Sequence, residues 1–497
     1  MAPRPSYDLL IIGGGINGAG IARDAAGRGL KVLLVEQDDL AAHTSSASTK
    51  LVHGGLRYLE TYNFRLVREA LKEREKILRI APHISKAMTF ILPIAPHSRP
   101  FWMISIGLLL YDALGGRGRL PKSHTVRLDP AAYGFGLNPT LMHGFSYADG
   151  WVDDARLVVL NAIDARMHEA DIRTRTRFVG ADRAGSAWVA QIAERGAIRE
   201  VLARVIVNAA GPWVDQVLRN LGGALRRRPP RLVKGSHIIV PRIHNREHAY
   251  ILQNPDGRVL FVIPYERDFS LIGTTDVEWK GDPAAPRIDS AEIDYLCRAV
   301  SHWLAKPITP ADVLHSYSGI RALYDDGAKS ASKVTRDYVL ALDEKEGLAS
   351  LSIFGGKITT YRRLAEHALA KLKPYLPSFG PEWTDKAPLP GGDFKDFELL
   401  MDDARARWPF LAPDVIERLG HAYGRRMTMI LGDATNIDQL GMNYGYGLTD
   451  AELDYLRREE WAVTSEDILW RRTKLGLHLP PEAAGAIERR VLQRING

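Results

Sequence analysis

Cysteine is almost missing: the 497 residues hold one, Cys297. A single thiol excludes a disulfide framework, a cysteine-ligated iron–sulfur cluster and a thiolate zinc site within the chain. It suits a reducing compartment, and no metal site is expected. Long apolar runs are missing too. The longest candidate, Phe101 to Tyr111 (FWMISIGLLLY), is too short to span a bilayer. The apolar stretch from Tyr7 to Ile12 begins too early for a signal peptide and runs straight into glycines, so it reads as a strand. Charge of one sign is only slightly in excess, 66 Lys+Arg against 59 Asp+Glu, a formal net charge of +7. That balance favours anionic partners without choosing among phosphorylated substrates, anionic lipid and nucleic acid. No recognised motif or basic stripe with interleaved aromatics supports nucleic acid, which is not expected as a partner.

What is present is an ordinary globular composition, 45% hydrophobic and 25% charged, in a chain long enough for two to four domains. Residues Asp8 to Ile12 (DLLII) read as a buried parallel strand. Gly13-Gly14-Gly15-Ile16-Asn17-Gly18 follows and fits G-x-G-x-x-G. Helix-compatible residues run to Arg28, and a second apolar run, Lys31 to Val35, ends at Glu36. Strand, glycine turn, helix, strand and an acid about 20 residues on make the dinucleotide fingerprint. Gly13 permits the tight turn, Gly15 lets backbone N–H groups approach a pyrophosphate, and Gly18 lets helix and strand pack closely. The helix N-terminus attracts the anion. Glu36 accepts hydrogen bonds from ribose hydroxyls, and its charge disfavours a 2′-phosphate. The turn does not separate FAD from NAD.

The next segment helps. Thr44-Ser45-Ser46-Ala47-Ser48-Thr49-Lys50-Leu51, followed by His53-Gly54-Gly55-Leu56-Arg57-Tyr58, offers small hydroxyls and glycines that let backbone lie flat against a large planar ring. TSSASTKLVHGGLRYLE and the preceding INGAGIARDAAGRGL resemble the FAD-dependent, aerobic, quinone-linked glycerol-3-phosphate dehydrogenase family. The resemblance continues to about Arg472. It takes in VIVNAAGPWVD (Val205 to Asp215), Lys234-Gly235-Ser236-His237, the paired strands Phe261 to Tyr265 and Leu271 to Asp276, Tyr317 to Arg321, and Thr335-Arg336-Asp337-Tyr338. It also takes in Phe354-Gly355-Gly356-Lys357-Ile358-Thr359-Thr360-Tyr361, which ends a strand and opens a helix. The last string resembles a P-loop tail, but Leu351 stands where the first P-loop glycine is required, so a nucleoside-triphosphate site is rejected. One departure is visible: Ala322 follows Arg321, where the family usually has proline.

The resemblance implies an α/β chain, α+β overall. A Rossmann-like FAD-binding domain is expected from residues 1–75, 145–215 and 318–375, and a discontinuous antiparallel-sheet substrate domain from 76–144 and 216–317. After the Pro388-Leu389-Pro390-Gly391-Gly392 cluster, a helical C-terminal domain is expected over 393–497. FAD is expected to be noncovalent, although His43 and His53 raise the question of a covalent link. Its contacts are expected from Gly13, Gly15, Asn17, Gly18 and Glu36, then from Thr44, Ser45, Ser46, Ser48, Lys50, Leu51, His53, Gly54 and Gly55. Further contacts are expected from Ala210, Gly211 and Trp213, and from Gly356, Lys357, Ile358 and Thr359 at a helix N-terminus that stabilises negative charge on a reduced flavin.

The implied reaction is oxidation of sn-glycerol 3-phosphate to dihydroxyacetone phosphate, with hydride passing from C2 to flavin N5. Arg57, Tyr58, Arg336 and Lys357 are placed near the phosphate, with Thr274 a further polar contact. His237 is the expected general base, its ordinary pKa being near neutrality. Arg321 stabilises developing alkoxide charge at C2 or holds substrate. The implied acceptor is membrane quinone, reached by a peripheral homodimer at the cytoplasmic face of the cell membrane or in the cytoplasm. Phe101 to Tyr111 and Arg226-Arg227-Arg228 with Arg231 are the candidate lipid contacts, against readings as a core helix and a solvated loop. The competing readings are a glycerol-3-phosphate oxidase that uses oxygen and a non-catalytic flavin-binding redox sensor.

Overall fold

In a computed structural model of the chain, residues 6–116, 118, 120–221, 230–324 and 337–493 are described. Two sheets organise the first three quarters. The first runs β17 (Val339–Lys345), β18 (Leu348–Phe354), β10 (Ala197–Asn208), β1 (Tyr7–Ile12), β2 (Val32–Val35), β7 (Asp171–Arg173). From β18 to β7 it is parallel, with Leu9 opposite both Val205 and Val32. The central runs 9–12, Val32–Val35 and 205–207 are apolar and buried because both faces of the sheet are covered there. On one face lie α1 (Ile16–Gly27), α4 (Asp154–Met167) and α7 (Tyr361–Leu372). On the other, β9 (Ala187–Glu194) and β8 (Thr176–Ala184) continue from the long strand β10 as an antiparallel meander, with α5 (Val214–Asn220) beside them. Small residues in α1 permit close packing: a Cβ at Gly20 would stand 2.7 Å from the Tyr361 ring.

In the second sheet β11 (Arg231–Pro241) carries β15 (Val277–Glu278) and β14 (Phe269–Gly273) along one edge, and the order continues from β14 through β13 (Val259–Tyr265), β12 (Ala249–Gln253), β4 (Ser85–Pro93) and β6 (His143–Val152) to β3 (Leu51–Val52). On the other edge of β11 lies β16 (His315–Leu323), and β5 (His124–Arg127) pairs with β6. One apolar face packs under α2 (Phe64–Ile80) and α3 (Phe101–Gly115), the other under α6 (Ser290–Ser301). The helical C-terminal unit, α8 (Phe397–Arg407), α9 (Pro413–Tyr423), α10 (Thr428–Leu431), α11 (Asp450–Glu460) and α12 (Pro481–Gln493), has its own core.

The expected class is the one observed, but the piece boundaries move. Strand β6, split at 145 by the expectation, pairs along its whole length with β4, so the chain returns to the first sheet only at α4. Strand β16, assigned from 318 to the cofactor domain, pairs residue for residue with β11. Even β3 joins the second sheet, through β6. Strand pairing, not position along the chain, decides which sheet each of these segments joins.

Candidate active site

A cleft of ≈ 370 Å³ opens where the two sheets meet. Its first wall is the carboxyl end of the parallel strands, the usual ligand position in such sheets. At the glycine turn, Gly13 has φ +113°, and a Cβ on Gly18 would stand 1.9 Å from the Gly13 carbonyl oxygen, so only glycine lets α1 start this close to β1. Ile16 N–H donates to Ser45 Oγ (3.0 Å). Glu36 ends β2, and its carboxylate accepts from the backbone N–H of Gly14 (2.6 Å) and Asp38 (2.9 Å). Burial pushes the Glu36 carboxyl up, against the pull of those two donors. Beyond it Thr176 to Phe178 line the same end.

The second wall comes from the loop before β3 and from the second sheet. Thr44 Oγ1 donates to the Ile320 carbonyl (2.6 Å), tying the loop to β16. Ala210, Gly211 and Trp213 close one side, with His43 against the Trp213 ring at 4.6 Å. The turn after β18 closes the other: Asn17 Nδ2 donates to the Gly355 carbonyl (3.2 Å), and His53 N–H donates to Thr359 Oγ1 (3.3 Å). The Lys357 ammonium lies 3.8 Å from the centre of the Tyr58 ring. Among the described residues, buried Lys357 Nζ and Asn17 Oδ1 have no hydrogen-bond partner. A buried ammonium without a partner is costly unless a ligand supplies one. Arg321 stands nearby on the wall, paired with Asp276.

The cleft thus gathers Gly13, Gly15, Asn17, Glu36, Thr44, Ser45, Ser48, Leu51, His53, Tyr58, Ala210, Gly211, Trp213, Arg321, Gly356, Lys357, Ile358 and Thr359. Other expected contacts lie behind its surface. The Lys50 ammonium is fully buried against Asp154 Oδ1 (2.8 Å) and the Ser46 carbonyl (3.2 Å). Burial disfavours its charge, and Asp154 more than restores it, raising its pKa. Ser46 Oγ donates to the His43 carbonyl. Gly54 N–H donates to Tyr111 OH (2.8 Å), and Gly55 begins the 3₁₀ turn Leu56–Thr61 that carries Tyr58. Gly18 packs under the glycine turn, as its reading requires.

His237 is also off the wall. Its ring stacks on Tyr317 at 4.9 Å, and its Nε2 meets Thr49 Oγ1 at 2.9 Å, while Thr49 is the residue that faces the cleft. Burial, with Arg321 and Lys50 nearby, pushes its pKa well below the ordinary value and keeps it neutral. The expected direct contact of His237 with the cleft is not observed: Thr49 stands between the ring and the cleft surface. Thr274 lies beside Arg321 under the wall, its Oγ1 donating to the Thr275 carbonyl (3.1 Å). Arg336 lies outside the described residues, as do Arg226 to Arg228, and of Arg57 only the backbone is described. The sequence reading missed Thr49 and Asp276, both inside quoted motifs, because it attended to cations and glycines there.

These features fit FAD: a glycine turn at the N-terminus of a 12-residue helix, a carboxylate one strand away, and unpartnered polar atoms at the far end. Comparison with known proteins agrees. Residues 8–362 match the family described as FAD dependent oxidoreductase, and residues 383–494 match the C-terminal domain of alpha-glycerophosphate oxidase. The chain is 50% identical to a D-erythritol 1-phosphate dehydrogenase of Brucella abortus (96% of each chain). It is also 50% identical to a glycerol-3-phosphate dehydrogenase of Pseudomonas aeruginosa (96% of this chain, 93% of that one). The structure of a glycerol-3-phosphate dehydrogenase from Bacillus halodurans complexed with FAD superimposes with a TM-score of 0.76 at 26% identity, covering 100% of this chain and 91% of that one. The chain is an FAD-dependent oxidoreductase and belongs to the FAD-dependent glycerol-3-phosphate dehydrogenase family.

Proposed function

We propose that the protein oxidises sn-glycerol 3-phosphate to dihydroxyacetone phosphate. The observation that carries this reading is the buried Lys357 ammonium, set over Tyr58 and without a hydrogen-bond partner among the described residues, at the Arg321 end of the flavin cleft. A buried ammonium that lacks a hydrogen-bond partner calls for an anionic group on the ligand, such as a phosphate ester. FAD, when bound, supplies the acceptor for the hydride that leaves C2. The chain's own groups do the rest. Lys357 binds the phosphate, the Tyr58 ring fixes the ammonium, and Arg321 donates to the oxygen on which negative charge grows as the alcohol is oxidised. The hydroxyl proton leaves through Thr49 Oγ1 towards His237 Nε2, which lies 2.9 Å from it.

A second reading concerns the carbon chain. The Brucella relative is named for D-erythritol 1-phosphate, a polyol phosphate one carbon longer, at the same 50% identity. Ala322 places a small side chain on the cleft wall beside Arg321, which leaves room at that end. Anaerobic titration of the FAD-loaded protein separates the readings: sn-glycerol 3-phosphate is expected to bleach the flavin and yield dihydroxyacetone phosphate. Bleaching by D-erythritol 1-phosphate alone would move the assignment to the tetritol ester, and bleaching by neither would overturn both.

A lipid-soluble quinone is proposed as the electron acceptor, met at the membrane surface. No described helix is long and apolar enough to cross a membrane. Support comes from α3, which exposes Trp102 (62%), Ile106 (57%) and Leu109 (63%) while burying Ile104, Leu108 and Tyr111. The exposed side carries no acid in the first turn, and exposed Arg99 and Lys122 flank the helix. Helix α3 packs beside the turn Leu56–Thr61 that presents Tyr58 to the cleft. An apolar helical face with flanking cations suits the lipid interface.

A further inference from the structure

Strand β11 runs through the middle of the cleft floor. Residues 269–278 follow one edge of it, with His237 opposite Gly273 and Val233 opposite Glu278. Strand β16 follows the other edge, with Val233 opposite Arg321 and Gly235 opposite Gly319. Arg321 and Asp276 therefore start on opposite sides of β11, yet their side chains meet: Arg321 Nη1 donates to Asp276 Oδ1. The guanidinium crosses above Gly235, where a Cβ would stand 2.9 Å from Arg321 Nη2 and 2.9 Å from Thr274 Oγ1. Glycine at 235 is what leaves the passage open. Val233, Gly235, Asp276 and Arg321 all border the cleft.

The pair is half-buried, with 32% and 34% of the two side chains exposed. Pairs at that exposure add little to stability, so the contact is better understood by what it does to the arginine. A free arginine side chain samples many rotamers, and ordering it when substrate arrives costs binding energy. Here one edge of the planar fork is already held, while Nη2 and Nε make no hydrogen bond among the described residues.

We propose that Asp276 is a positioning residue for hydride transfer: it holds the Arg321 guanidinium across Gly235 so that its remaining N–H groups face the oxygen of the alcohol being oxidised. The proposal rests on the polyol phosphate reading of the cleft. The step itself is unchanged: the C2–H bond breaks with its electron pair going to the flavin, the hydroxyl proton goes to the base, and a ketone forms.

The test is the anaerobic bleaching rate of FAD-loaded enzyme at saturating sn-glycerol 3-phosphate. Asp276→Asn is expected to lower the limiting rate by about 10- to 100-fold, the scale of a misplaced group of this kind. FAD content and melting temperature should stay unchanged. Asp276→Glu should recover part of the rate. In an Arg321→Ala background, Asp276→Asn should add less than about a twofold loss, because residues acting through one another are not additive. A limiting rate within about twofold of wild type in Asp276→Asn, or losses that multiply in the double variant, would overturn the proposal. Should Asp276→Asn fail to retain flavin, Gly235→Ala displaces the guanidinium instead of its partner and must show the same fall. If sn-glycerol 3-phosphate does not bleach the wild type, it is the substrate assignment that has failed, and the series is run with D-erythritol 1-phosphate. With no bleaching by either, the positioning role falls as well.

Discussion

Replacing Lys357 by methionine keeps most of the side chain's length and removes its charge. In the free protein the ammonium is buried, has no hydrogen-bond partner among the described residues, and sits 3.8 Å from the centre of the Tyr58 ring. The ring alone holds a cation by about 0.5–2 kcal/mol, a poor replacement for water. A phosphate oxygen supplies the missing partner, and a hydrogen bond to a charged group is worth about 1.5–3 kcal/mol net. Each 1.4 kcal/mol is a factor of ten, so Lys357→Met should weaken the substrate's apparent Kd by about 10- to 150-fold. The assay is anaerobic flavin bleaching against sn-glycerol 3-phosphate concentration, with FAD occupancy read from the same spectra. Inorganic phosphate should protect the wild type and lose that effect in the variant. Unchanged substrate affinity in fully flavin-loaded Lys357→Met would refute the assignment. Loss of flavin with normal affinity in the remaining holoenzyme would move Lys357 from substrate to cofactor.

Gly18→Ala puts a methyl 1.9 Å from a main-chain oxygen that cannot rotate away, an overpacking worth about 1–3 kcal/mol or more; the purified variant should be flavin-poor, and full loading at an unchanged melting temperature would contradict the turn geometry. His83 is buried with both ring nitrogens unpartnered among the described residues, and burial, with Arg156 and His421 nearby, lowers its pKa to about 3. The unfolded chain takes up the proton first, so this stability is present above about pH 6.5 and lost as pH falls, about 2 kcal/mol by pH 5; His83→Gln should flatten the acid limb of a melting-temperature profile, and an equally steep limb would contradict the burial argument. Trp102→Glu with Leu109→Glu should cut co-sedimentation with anionic phospholipid vesicles by at least about tenfold, each side chain being worth about 1.5–3 kcal/mol on burial, while activity with a soluble dye stays normal; undiminished sedimentation would remove α3 from the lipid contact.

Much of the cofactor end was readable because its chemistry is local. A turn of six residues, a helix start and an acid one strand later are fixed by short-range backbone geometry, and Glu36 lies where the spacing puts it. The far end is assembled by pairing that no spacing reveals. Lys50 sits in a run of small hydroxyl residues and reads as facing the ring, but Asp154, distant in sequence, captures it behind the wall. His237 shares a face of β11 with Gly235 by simple alternation, yet Thr49 and Tyr317 cover it, and both come from other segments. Asp276 ends a motif that was read for its glycine and threonines. Its partner becomes visible only once the registers on both edges of β11 are known.

The proline–glycine cluster at 388–392 illustrates the same limit at the scale of domains. Helix α8 starts a few residues beyond it, at Phe397, and the helical unit has its own core. A linker reading would make the unit a separable module, but buried charge crosses the boundary. The π-helical turn Asp467–Arg472 sends Arg472 and Arg471 onto Asp39, with Nη1 and Nη2 of Arg472 at 2.7 and 2.8 Å from its two oxygens. Burial opposes the charge on Asp39, and the two arginines outweigh it, holding its carboxyl below the ordinary range. Arg156 of α4 makes a second crossing to Glu460. Separating such pairs would leave uncompensated buried charges, each costing about 3–5 kcal/mol. Asp39 stands three residues beyond Glu36, the carboxylate at the dinucleotide end of the cleft. The helical unit is therefore bound into the loop that presents Glu36, and the cofactor site depends on residues from both ends of the chain.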